Sequence, residues 1–488
     1  MNNQVTIVGA GIAGLSAGIY AQKRGFQCTI YEQHRLPGGN CTSWRRKGYT
    51  FEGGLHWLTG SKPGSPLYKE WCDLGAITQS TVIQYREAFV SCIYDRQTVS
   101  LFTNAERLRD HLLAISPTDD RAIRTLYKHI KRFSHLTMPV FDIPGVKLKE
   151  RSSMPSLRML LTVKQLSPFG KISAKEYANK FRHPAIRLML EEVAGSENKT
   201  SHMLTLLASV CSGDGGYPEG GSTGMAKRMA EYFERLGGNI YYSSHVEQIH
   251  VEKNKVNSIT VNGMTVNTIN LIVTKDTREA IDKLFTQPFD EPWCQHLRQE
   301  TKPVMCTFVS IGLKKDWNHL PTNFIIPLVE PLTFGGFTYN SLFLNNYVSY
   351  PNYAPSGCTA VTCILFGDSY SFWKNAKDDG SYSEKKKELA EKFIYALISN
   401  LQLTYDEIEV IDIATPLTFE RYCGTYHGSW MTIDEIGKKA AIYPIKSKAI
   451  SNLYFAGQRI MSPGGGPVAL VTGRQAIQHL CKDHGIPF

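Results

Sequence analysis

A chain of 488 residues exceeds what one hydrophobic core serves, so two or more domains are expected. With 42% hydrophobic and 20% charged residues and no charge block or low-complexity tract, composition excludes a disordered arm. The net charge of +10 is modest for this length, and without a helix-turn-helix, zinc-finger or RNA-binding signature it makes no case for nucleic acid.

The eleven cysteines are scattered, and the nearest two, Cys358 and Cys363, have no histidine beside them. That usage fits the reduced thiols of a cytoplasmic protein better than a disulfide frame or a zinc site. No HExxH motif or cluster of carboxylates suggests a metal, and no GxSxG elbow supports a serine nucleophile. MNNQ carries no basic side chain and glycines interrupt the apolar run behind it, so no signal peptide is read. No apolar run reaches the roughly 18 residues that cross a bilayer. The expectation is a protein that is soluble in the cytoplasm or lies at a membrane surface.

The chain opens with QVTIVGAGIAGLSAGIYAQKRGFQCTIYEQ. Val5–Val8 is a continuous apolar run, as in a parallel strand buried on both faces. Gly9, Gly11 and Gly14 then form GxGxxG: one glycine for the tight turn, one for approach to a pyrophosphate, one for helix packing against the strand. The helix carries Leu15 and Ile19 on one face and closes near Lys23, Arg24 and Gly25. Cys28–Tyr31 reads as a second strand ending at Glu32, where a carboxylate can accept hydrogen bonds from ribose hydroxyls. A nicotinamide dehydrogenase would continue into another helix. Here LPGGNCTSW follows, and Gly38 and Gly39 can bring a second set of backbone N–H groups against a phosphate. Such a contact suits a long dinucleotide reaching into the protein, which points to FAD.

Glu32 followed by PGGNCTSWRRKGYTFEGGLHWL resembles the amino-terminal signature of the FAD-dependent phytoene desaturase, carotenoid isomerase and retinol saturase family, a branch of the flavin amine oxidase superfamily. Amine oxidases usually carry Arg after the paired glycines, and Asn40 stands there instead, which makes amine oxidation less expected. His56, after a glycine pair in the same block, is a candidate catalytic residue; the competing reading is a core histidine bonded to backbone.

Further along, residues 151–171 mix basic and aliphatic side chains between Pro155 and Pro168. The reading is a helix of about three turns that rests on a membrane or covers a tunnel. Met225, Met229, Phe233 and Leu236 make a helical stripe ended by Gly237 and Gly238, and Asn239–Tyr242 begins a strand. Hairpin turns are expected at Asn254–Lys255 and at Asn262–Gly263. The resemblance implies a backbone contact to adenine at Val246. It also brings the segment holding Tyr426 and His427 back to the substrate side of the flavin, as catalytic candidates against a packing alternative.

Near the end, Leu453–Ala456 reads as a short buried strand broken by Gly457, and a helix is expected from about Pro467. By resemblance, Gly465, Gly466 and Val468 approach the isoalloxazine, with Gly457 at the preceding turn. An acid commonly follows that first glycine in the family; here Gln458 stands in its place.

Together these features predict an α/β protein. An FAD-binding Rossmann-like domain of glutathione-reductase type is expected from residues 1–75, 205–285 and 430–488, with an inserted α+β substrate domain from 76–204 and 286–429. The resemblance implies hydride transfer between flavin N5 and C=C or allylic C–H bonds of a polyene, carotenoid, retinoid or other lipid, in desaturation, saturation or isomerisation. The alternatives are an amine oxidase-like enzyme and a non-catalytic flavin- or prenyl-binding module. The expected partner is a hydrophobic small molecule, with no nucleic acid and no metal.

Overall fold

The computed structural model describes residues 3–148, 157–300, 302–433 and 435–488. Residues 151–156 of the expected surface helix lie outside them. The remainder forms a helix at Leu157–Leu166 and a 3-10 turn at Ser167–Gly170, where Pro168 stops it.

Short segments rich in apolar residues build the first sheet. Five parallel strands lie in the order Leu453–Phe455, Leu271–Val273, Gln4–Val8, Gln27–Tyr31 and Asn239–Tyr241. Residues 5–8, Leu271–Val273 and Leu453–Phe455 are buried throughout and need cover on both faces. Part of that cover is the helix Ile12–Lys23, buried at every residue from Ile12 to Ala21. Its small side chains let neighbours approach closely. A Cβ on Gly18 would lie 2.8 Å from the Phe233 ring of the helix Gly221–Arg235, and one on Gly473 would lie 2.4 Å from the Ala13 carbonyl. Gly473 belongs to the closing helix Gly465–Asp483, which starts two residues before the expected Pro467. The Ser16 hydroxyl donates to the Leu470 carbonyl at 2.8 Å and locks the pair. The chain's opening, middle and tail therefore share one core.

An antiparallel meander, Val246–Glu252, Lys255–Val261 and Met264–Asn267, is appended. Its second turn is Asn262–Gly263 as expected, with φ of 48° and 78°. The first falls one residue earlier than expected, at Lys253–Asn254, because Lys255 already pairs with Glu252.

A second, seven-stranded sheet has the order Ile408–Ala414, Cys306–Leu313, Thr359–Phe366, Phe337–Asn346, Asn323–Phe334, Ala88–Tyr94 and Gln97–Phe102. Neighbours are antiparallel except Asn323–Phe334 beside Ala88–Tyr94. One core joins Val90, Cys92 and Ile325 to helices that include Asp120–Phe133, whose Ile123, Leu126, Ile130 and Phe133 are buried at helical spacing. Another joins Val361 and Cys363 to Phe393 and Leu397 of the helix Tyr382–Asn400.

At two of the expected boundaries the packing runs across the line. The helix Thr200–Val210 crosses the line drawn at 204/205, because its stripe Met203, Leu204 and Leu207 is continuous and packs wholly in the second-sheet core. Beyond the line at 285/286, Phe289, Cys294 and Leu297 still pack in the first.

The close approach of the opening and closing helices has a direct test. Gly473→Ala is expected to lower folding stability by about 1–3 kcal/mol through overpacking against backbone. The thermal midpoint of the loaded protein reads this, and an unchanged midpoint would contradict the packing described.

Candidate active site

A cavity of 1320 Å³ begins at the turn after the first strand and extends to the second sheet. Of the expected cofactor positions, Gly9, Gly11, Glu32, Gly38, Gly39 and Asn40 from the opening of the chain all line it. So do Val246 from the middle, and Gly457, Gly465, Gly466 and Val468 from the tail. Gly14 lies behind this wall: a Cβ there would fall 1.9 Å from the Gly9 carbonyl, so only glycine allows the helix to start so close to the strand.

The two amino-terminal glycine turns touch directly. The Gly38 amide donates to the Ala10 carbonyl at 2.9 Å, and Gly11 and Gly38 form a parallel bridge. At Gly38 φ is +124°, and a Cβ would meet the Cys41 carbonyl at 2.3 Å, so the turn accepts no side chain. The helix Ile12–Lys23 presents its first free N–H groups between these turns, a positive end suited to a phosphate. The Glu32 carboxylate accepts from the Ala10 amide at 2.6 Å and the His34 amide at 2.8 Å. Burial raises its pKa, and those two bonds partly offset the rise.

The carboxy-terminal turn is tied to the amino-terminal one through Trp430. Asn40 Nδ2 donates to the Trp430 carbonyl at 3.3 Å, and Gln458 Nε2 donates to the same oxygen at 3.2 Å. Gln458 Oε1 accepts from the Gly465 amide at 3.2 Å. A carboxylate could accept but not donate, so glutamine at this position serves as an internal bridge. Next to it Arg459, 5% exposed, pairs with Asp276 at 3.0 Å and donates to Ser429. Asp276 in turn caps the helix Thr277–Lys283.

His56 is buried at the cavity wall, edge-on to Trp430 with ring centres 5.7 Å apart and stacked on Phe308 at 6.5 Å. Burial, with a smaller contribution from the Arg86 charge, pushes its pKa down to about 4, so it is neutral at neutral pH. Neither ring nitrogen has a hydrogen-bond partner in the protein. That differs from the core-histidine alternative, in which backbone satisfies the ring. The loop that carries it is held by Glu52, a fully buried carboxylate that accepts from the amides of Gly54, Leu55 and Ser222 and from the Tyr217 hydroxyl. Glu52 and Trp430 escaped the sequence reading. The only signal for Glu52 was an acid set in the apolar, glycine-ended run YTFEGG.

Tyr426 and His427 do not line the cavity among the described residues. His427 is stacked between Tyr370 at 4.1 Å and Tyr426 at 4.0 Å, and the Arg278 guanidinium lies over the Tyr426 ring. From the same segment, Cys423 and Thr425 face the cavity instead.

The unpartnered buried atoms Asn40 Oδ1, both His56 nitrogens and Arg459 Nη1 all belong to residues lining the cavity. Orphaned donors and acceptors are rare in folded proteins and ask for a ligand with complementary polar edges. Sequence comparison supplies its class, since a model of the flavin containing amine oxidoreductase family matches residues 12–481. The chain belongs to that family.

Like other members of the flavin containing amine oxidoreductase family, it is an FAD-dependent oxidoreductase. The all-trans-retinol 13,14-reductase of Danio rerio is 22% identical over 94% of this chain and 82% of its own. The chloroplastic prolycopene isomerase of Daucus carota is 23% identical over 98% of this chain and 80% of its own. Among solved structures, cyclohexylamine oxidase from Brevibacterium oxydans IH-35A superposes with a TM-score of 0.61, 12% identity and 99% coverage of both chains. That last likeness concerns the fold. None of the eleven cysteines forms a disulfide. Among the described residues no group of side chains could hold a metal ion, and no helix is long and apolar enough to cross a membrane.

The state of His56 has a measurable consequence. An unfolded histidine binds a proton near pH 6.5, whereas the folded one waits until about 4, so the unfolded chain binds more protons across that window. The stabilisation is complete above about pH 6.5 and is lost as pH falls toward 4, by roughly 3 kcal/mol for this one group. His56→Phe should flatten that part of the stability-versus-pH curve in chemical denaturation; an unchanged slope would contradict a buried, neutral His56.

Proposed function

We propose that this enzyme acts on the C=C or allylic C–H bonds of a polyene, isoprenoid or other lipid, in desaturation, saturation or isomerisation. The observation that carries the reading is the continuity of one cavity. It runs from the glycine turns of the chain's opening past a neutral histidine to walls that include Trp57, Phe89, Leu136, Met138 and Phe343. The named activities of relatives on retinol and prolycopene support it.

In this reading residues 1–75, about 211–300 and 430–488 make a Rossmann-like FAD-binding domain of glutathione-reductase type. The inserted stretches, about 76–210 and 301–429, make the α+β substrate domain. Gly9 and Gly11, with the helix start that Gly14 lets close behind them, hold the pyrophosphate from one side and Gly38, Gly39 and Asn40 from the other. Glu32 takes the ribose hydroxyls and Val246 backbone the adenine. Gly457, Gly465, Gly466 and Val468 approach the isoalloxazine. FAD, when bound, supplies the group that accepts or gives hydride.

The protein's own contribution is orientation and a dry environment. Trp430, fixed through its carbonyl and by its ring N–H on the Gly53 carbonyl at 3.2 Å, presents a rigid aromatic surface. His56 offers one donor and one acceptor without a charge that would hold water in the cavity. Tyr426 and His427 act through packing, by bracing the segment that carries Cys423 and Thr425. The helix Leu157–Leu166 gives Val163 and Leu166 to the cavity, while Leu161 and Val163 are also solvent-exposed. This supports an enzyme that meets its substrate at a membrane surface, through this helix.

Anaerobic incubation of the purified holoenzyme with a panel of polyenes and amines tests the proposal. Flavin bleaching by a polyene, with product lighter by a pair of hydrogens, is the expected sign of a desaturase. A reduced enzyme reoxidised by substrate, with product heavier by the same pair, marks a saturase, and unchanged mass with new retention marks an isomerase. Bleaching by amines alone would establish the amine oxidase alternative.

A further inference from the structure

The substrate half of the cavity contains one polar pair that the reactions above leave without a role. The helix Pro184–Ala194 packs Ala185, Ile186, Met189 and Leu190 into the core and turns Glu192 toward the cavity from its last turn. There the Ser341 hydroxyl, on the strand Phe337–Asn346, donates to Glu192 Oε1 at 3.2 Å. Oε2 has no hydrogen bond in the protein, and no cation pairs with the carboxyl among the described residues. Several other polar side chains of this region are already committed to the protein, although Asn323 Oδ1 is not. Thr205 donates to the Ser201 carbonyl, Ser209 to Asp214, Tyr339 to the Phe366 carbonyl and Asn345 to the Thr362 carbonyl.

Three features favour a neutral carboxyl at this place. It faces a largely apolar cavity, it has no counter-ion among the described residues, and it sits at the negative end of a helix. Burial raises its pKa, opposed by the Ser341 bond and reinforced by Glu191. In a neutral carboxyl here, with Ser341 donating to Oε1, the acid proton would sit on Oε2, where it can be donated to a ligand. The strand of Ser341 lies two strands from that of Phe308, on which His56 stacks, a lateral spacing of roughly 10 Å between the two strands.

We propose that Glu192 and Ser341 form a recognition site for a hydroxyl or carbonyl oxygen, so that the preferred substrate is an oxygenated polyene or lipid rather than a pure hydrocarbon. This rests on the lipid reading of the cavity and adds substrate selection to it. An apolar cavity binds a hydrocarbon and its alcohol with nearly the same apolar contacts. A positioned donor distinguishes them, because a hydrocarbon leaves the buried carboxyl unpaired. The oxygen also fixes how far the chain slides along the cavity, and hence which carbon reaches the reactive end.

Equilibrium binding to the holoenzyme, followed by the flavin spectrum and tryptophan fluorescence, tests this with matched pairs. All-trans-retinol is compared with its deoxy hydrocarbon, and β-cryptoxanthin with β-carotene. The oxygenated member of at least one pair should bind about three- to tenfold more tightly. Glu192→Leu should remove that preference, while Glu192→Gln, a neutral donor of the same shape, should keep most of it. FAD content serves as the check on folding. Equal binding of both members by the wild type, or a preference that survives in Glu192→Leu, overturns the proposal and leaves the lipid reading standing. Loss as complete in Glu192→Gln as in Glu192→Leu also overturns it, because an ionised carboxylate would then be the recognised form. Failure of all four compounds to bind would remove the lipid reading and this proposal together.

Discussion

The contact between the turn at Gly9–Gly11 and the turn at Gly38–Gly39 sets the position of nearly everything else at the site. The bond from the Gly38 amide to the Ala10 carbonyl and the bridge between Gly11 and Gly38 bring two backbone segments together with no side chain between them. Ala10 also donates to Glu32, so one residue joins both turns and the acid at the end of the second strand. Asn40, two residues beyond Gly38, then reaches the Trp430 carbonyl, where Gln458 attaches the tail of the chain. A bulky residue at Gly38 would disturb this linkage at its origin and alter the cavity wall at every segment attached to it.

Closeness of this kind depends on missing volume. Gly14, Gly18 and Gly473 let helices approach strand, ring and backbone more nearly than a Cβ would allow, and close packing is where dispersion contacts accumulate. The second sheet is organised differently. Its strands are long, largely antiparallel and covered by amphipathic helices, an arrangement that leaves a broad apolar surface available to the cavity. The two parts meet around His56. Buried carboxylates such as Glu52 hold the loop, and the ring itself is left without partners.

The features legible in the sequence were those governed by local rules. The Gly9, Gly11 and Gly14 spacing, the apolar strand before it, Glu32 at the end of the next strand and the Asn262–Gly263 turn all follow from backbone geometry within a few residues. The seven-stranded sheet was not legible, because its order depends on pairings between segments far apart in the chain, such as Asn323–Phe334 beside Ala88–Tyr94. For the same reason Gln458 read as a missing acid, although its amide is satisfied by Trp430 and Gly465. The segment that the resemblance brings to the flavin does reach the cavity, but through Cys423 and Thr425 rather than through Tyr426 and His427. A left-handed residue at His427, with φ of 50°, turns that ring into a stack with Tyr370 and away from the wall. Glu192 was hidden in an ordinary amphipathic helix, and only the fold shows that its last turn ends at a cavity.

Hydrogen exchange with and without the cofactor examines most directly the proposed closing of glycine turns from three distant stretches around one FAD. Adding FAD to the apoprotein should slow amide exchange together at residues 9–14, 38–41 and 457–468, with a single dependence on FAD concentration. Protection confined to the amino-terminal turns, with the tail exchanging as before, would contradict the convergence described.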